Sequence, residues 1–159
     1  MAGNVTWLRH GLATLAYRFA KSVRGADTAY GDFDPGAGAR PPREIVRHLT
    51  QLVRGMETRF QGGSAEDPPP LDWSAEVARF HAELERLDQL VESGPAPPDD
   101  VCLAVLQGPL SDALTHVGQI AMLRRLAGSP VPGENFSRAG VRPGQVGPDQ
   151  ALPAEPFRE

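Results

Sequence analysis

Apolar residues recur along the chain at the spacing of one helix face. Leu8, Leu12, Leu15, Phe19 and Val23 step by four, three, four and four, and Ile45, Leu49, Leu52, Met56 and Phe60 do the same. Val77, Phe80, Leu84, Leu87 and Val91 form a third stripe, and Leu110, Leu114, Val117 and Ala121 a fourth. The period is near 3.6, and no segment shows the alternation of a strand. The prolines agree with this reading. Residues 1–34, 43–67, 71–94 and 110–129 contain none, while GDFDPGAGARPP, DPPP and GPAPP lie between them. A proline inside a helix costs about 3 kcal/mol, so the proline-free windows are where helices fit.

The pattern predicts helices near 4–25, 42–61, 73–93 and 109–127, with a shorter one near 99–107 and a kink at Gly108-Pro109. Four amphipathic helices and no sheet point to an all-α four-helix bundle over residues 1–128. Residues 129–159 carry six prolines and no helical stripe. They read as an extended, Pro/Gly-rich C-terminal tail, either disordered or packed on the bundle. Val131, Phe136, Val141, Val146 and Leu152 are its candidate anchors, and order over 131–152 is the expectation.

Composition narrows the classes. The chain of 159 residues has a formal charge of −4, which argues against a dedicated nucleic-acid binder. Residues 1–60 hold nine basic and five acidic side chains, and residues 61–100 two and ten. A basic first half can therefore complement an acidic third helix. The single cysteine, Cys102, rules out an intrachain disulfide and reads as a buried, inert thiol. No apolar run approaches the ~20 residues of a membrane helix. The first residues lack the basic and apolar regions of a signal peptide, so a cytoplasmic location is expected.

The candidate chemistry lies in the four histidines and one aspartate. Asp112 and His116 stand at i and i+4, one turn apart on one face, at the edge of the Leu110/Leu114/Val117/Ala121 arc. The expected solvent face is Ser111, Thr115, Gly118, Met122 and Arg125. His48 lies beside its own stripe, between Ile45 and Leu52. His81 sits between Val77 and Leu84 and can also point inward, whereas His10 is offset and should be at the surface. Two imidazoles and a carboxylate from facing helices can converge on one divalent ion, and spacing alone leaves zinc, nickel, iron and manganese open. A carboxylate and histidine at this spacing are, however, more often a hydrogen-bonded surface pair.

The segment DALTHVGQIAMLRRLAG, residues 112–128, resembles the last-helix signature of the DinB/YfiT-like family. His116-Val117-Gly118-Gln119 matches the family's second histidine and the Gly-Gln after it, and Leu123 to Gly128 matches its helix end. REIVRHLTQLV looks like the stretch that supplies the family's first histidine, here His48. The resemblance spans about residues 4–128. It implies an up-down-down-up bundle with a long connection, here Gln61 to Asp72, between the second and third helices. It implies a metal site at His48, Asp112 and His116, with Gln119 orienting a ligand and His81 outside the set. It also implies a homodimer acting on a small molecule, by hydrolysis or by group transfer linked to a low-molecular-weight thiol. Asp112 departs from the family pattern, which has histidine there. The site is then harder and more negative, or else marks a non-catalytic dimeric bundle that has lost its metal.

Overall fold

A computed structural model of the chain describes residues 2–154; residues 155–159, the end of the expected tail, lie outside them. The described residues are all-helical, with no strand. Four long helices, α1 (Ala2–Val23), α2 (Pro42–Gln61), α3 (Trp73–Ser93) and α5 (Ser111–Leu126), are joined by a short α4 (Asp99–Val105). Pro42 opens α2 at a position where its missing N–H costs nothing, and the Asp72 side chain caps α3 by accepting from the Ala75 N–H.

Side-chain pairs fix the helix directions. Arg9 in α1 makes a two-pronged ion pair with Asp88 of α3 (2.9 and 2.8 Å) and reaches Glu92 (2.7 Å), while Phe19 packs at a tilt against Phe80, centroids 4.2 Å apart. α1 and α3 thus run in opposite senses. Arg54 binds Glu83 and Glu57 binds Arg86, at constant offset, so α2 and α3 run the same way. The connection across residues 62–72 must therefore travel the length of both helices. α1 and α5 share a direction. Gly11 faces Leu110, and the buried Arg124 donates to the Ser22 and Arg24 carbonyls at the end of α1. A Cβ at Gly11 would lie 3.1 Å from Leu110, so glycine permits the close approach. The basic half and acidic third helix do meet, through Arg9 and Arg54.

One core joins all four long helices. Leu8, Leu12, Leu15, Phe19, Leu49, Met56, Phe80, Leu84 and Leu87 are fully buried, each contributing roughly 1.5–3 kcal/mol of burial. A 3₁₀ turn over Thr28–Asp32, absent from the sequence reading, plugs one end. The Tyr30 hydroxyl donates to the Ile120 carbonyl (2.6 Å), and Tyr30 packs edge-on against Trp73. Gly31 is obligatory there, because a Cβ would meet Trp73 at 2.6 Å.

Two expectations change. The last helix was expected over 109–127, but residues Leu106–Leu110 form a π turn and α5 starts at Ser111. Pro109 cannot donate and its ring crowds the preceding turn, so the backbone widens instead of breaking. The inward face of α5 is also rotated. Ala113, His116, Val117, Ile120 and Leu123 are buried, whereas Leu114 and Ala121 are only half-buried. α5 carries apolar residues on nearly all sides, so its stripe could not be assigned from the pattern. Beyond α5, Val146 enters the core and Phe136 lies edge-on against Tyr17, but Leu152 is exposed.

Candidate metal centre

His48 projects from the second turn of α2 and is half-buried. His116 is buried on α5, and Asp112, one turn before it, is half exposed. The helices run in opposite senses here, so His48 faces both. Its ring lies 4.7 Å from that of His116, nearly perpendicular. The Asp112 carboxylate stands 3.7 Å from His48 Nε2 and 3.4 Å from His116 Nε2. One donor atom from each of the three lies within 4.8 Å of the others, an arrangement that could hold a metal ion.

The other nitrogen of each ring is committed. His48 Nδ1 lies 2.9 Å from Gln51 Oε1, and His116 Nδ1 lies 2.8 Å from Gln119 Oε1. An amide oxygen only accepts, so each Nδ1 carries a proton, and in the neutral ring Nε2 is the atom left for the shared centre. Gln51 is held in turn, donating to Asp67 of the α2–α3 connection (3.0 Å). Such outer partners fix ring orientation at metal sites. Gln51 went unread in the sequence, although His48-Leu49-Thr50-Gln51 repeats the H-x-x-Q spacing of His116 to Gln119.

Neither histidine–aspartate distance is a hydrogen bond, which for N–H···O spans about 2.7–3.2 Å. At 3.7 and 3.4 Å both contacts are longer than that and within the range of an ion pair to a protonated ring. A proton on one Nε2 would serve one contact, whereas a cation serves all three groups. Ligands at about 2.0–2.2 Å from an ion sit about 3.0–3.4 Å apart at tetrahedral or octahedral angles. The two histidine–aspartate contacts need only small side-chain shifts to reach that geometry. Beside Asp112 an open cleft of about 560 Å³ runs between α2 and the π turn, reaching Gln51, Arg59, Gln107, Ser111 and Thr115.

The other candidates are elsewhere. His10 is exposed. His81 is buried against Phe19 and Phe80, and its Nδ1 donates to the Val146 carbonyl (3.0 Å). Burial holds its imidazole neutral by lowering its pKa. Cys102 is buried, and burial together with Asp99 and Asp100 pushes its thiol up, so it is not an activated nucleophile.

Comparison with protein-family models, curated proteins and solved structures yields no match. No helix among the described residues is long and apolar enough to cross a membrane.

Proposed function

We propose that this chain is a metal-dependent enzyme of the DinB/YfiT-like kind. In this reading its helices form an up-down-down-up bundle with the tail laid over it, and one divalent ion sits at His48, Asp112 and His116. The observation that carries the metal is the convergence of His48 Nε2, His116 Nε2 and the Asp112 carboxylate, with each Nδ1 held by a glutamine amide oxygen. The helix directions and the long α2–α3 connection support the bundle topology. A divalent ion in such a site polarises an oxygen or lowers the pKa of a bound water or thiol. The chain's own residues orient the imidazoles through Gln51 and Gln119, and the cleft beside Asp112 admits a small molecule, with Arg59 at its far end. The chemistry is group transfer or hydrolysis, with a low-molecular-weight thiol as candidate co-substrate. The carboxylate makes the site harder than a three-histidine one, favouring nickel, iron or manganese relative to the family's usual set.

Elemental analysis of protein purified without a histidine tag tests this. Near-stoichiometric metal that His116→Ala loses and His81→Gln retains supports the site. A metal-free protein that also fails to take up zinc, nickel, iron or manganese is a non-catalytic bundle.

A further inference from the structure

The apolar surface of α5 extends beyond the face that the core buries. Away from Asp112 and His116, Leu114, Val117, Ala121 and Met122 floor a groove of about 350 Å³ between α5 and the second half of α1, with Val131 and Phe136 as its far wall. Met122 is 58% exposed. The volume falls in the range of small-molecule sites, about 300–1,000 Å³.

The wall is anchored. The Lys21 ammonium donates to the Pro132 carbonyl (2.7 Å) and pairs with the fully buried Glu134 carboxylate at 3.2 Å, whose other oxygen accepts from the Tyr17 hydroxyl. Glu134 therefore neutralises Lys21, and among the described residues no carboxylate pairs with the two further cations at the groove. The Arg125 side chain has no hydrogen bond or ion pair among the described residues. Arg18 uses only its flat face, with its guanidinium carbon 3.9 Å over the Phe136 ring. Stacking leaves the N–H edge of a guanidinium free, and that edge matches a carboxylate.

We propose that this groove binds an amphiphilic monocarboxylate, its chain along Leu114, Ala121 and Met122 and its head group between Arg18 and Arg125. The site lies on the opposite side of α5 from the metal centre and is independent of it.

Methyl-labelled methionine NMR on the whole chain, following Met122 during titration with octanoate, 1-octanol or acetate, tests the proposal. Octanoate should shift the Met122 resonance and bind at least tenfold more tightly than either of the others. Arg18→Gln with Arg125→Gln should bring octanoate down to the affinity of octanol. Gly118→Leu should abolish binding without unfolding, because a Cβ there meets nothing within 4 Å and helix propensity rises. Chelation with EDTA should change nothing. Equal affinity for octanoate and octanol, or binding that survives Gly118→Leu, would overturn the proposal. So would octanoate binding that EDTA abolishes, or a dimer that Gly118→Leu splits, since the groove would then be an interface with a second copy.

Discussion

His81 and the His48/His116 pair begin from the same sequence position, beside an apolar helical stripe, and end in opposite chemistry. Around His81 the walls are Phe19 and Phe80 with the Glu85 charge near by, and Nδ1 reaches a backbone carbonyl 65 residues away. That imidazole is a structural peg that ties Val146 into the core. Around His48 and His116 the Nδ1 atoms meet Gln51 and Gln119 three residues on, and both Nε2 atoms face Asp112. Burial does not separate the two cases, since His81 is 3% and His116 7% exposed. What separates them is whether the free nitrogen meets apolar walls or other lone pairs.

The contrast can be broken most sharply at His116. His116→Ala should weaken divalent-metal binding by more than about a hundredfold by calorimetry, beyond the 10–100-fold typical of an outer partner. Gln51→Leu and Gln119→Leu remove those partners and should each weaken binding about 10–100-fold while leaving the fold intact. Asp112→His should raise zinc affinity relative to manganese, by about tenfold in competition, by replacing a hard oxygen with imidazole. In the wild type, binding should weaken as pH falls, because imidazole must lose its proton to coordinate.

The smallest effect belongs to the peg. The folded chain resists protonating His81, whereas the unfolded chain takes up that proton near pH 6.5. The unfolded state therefore binds more protons, and stability should be full above about pH 6.5 and fall as pH drops below it. His81→Gln keeps a donor for Val146 and removes the titration. Its melting temperature should vary less between about pH 5 and 7 than that of the wild type, and its metal affinity should be unchanged.

How much of this was legible follows from particular residues. α2 and α3 match their expected bounds because Pro41, Pro42 and the DPPP run punctuate them. α5 was harder, since Leu114, Ala121 and Met122 blur its stripe and only packing decides which side turns inward. The π turn follows from Pro109, whose effect is readable as a disturbance but not as a widening. Tyr30 and Gly31 gave no periodic signal, because a single 3₁₀ turn is too short to have one. That His48, Asp112 and His116 converge was an expectation of helix spacing together with the DinB/YfiT-like resemblance, and their side chains do come together. Gln51 went unread although its H-x-x-Q spacing was a signal, and Asp67 behind it depends on how the α2–α3 connection folds.

The most direct measurement is X-ray absorption on the tag-free protein loaded with one equivalent of zinc. The account predicts a first shell containing two imidazole nitrogens and at least one oxygen at about 2.0–2.2 Å, with the imidazole signal halved in His48→Ala. A shell of oxygens alone, or an imidazole signal that His48→Ala leaves unchanged, would contradict it.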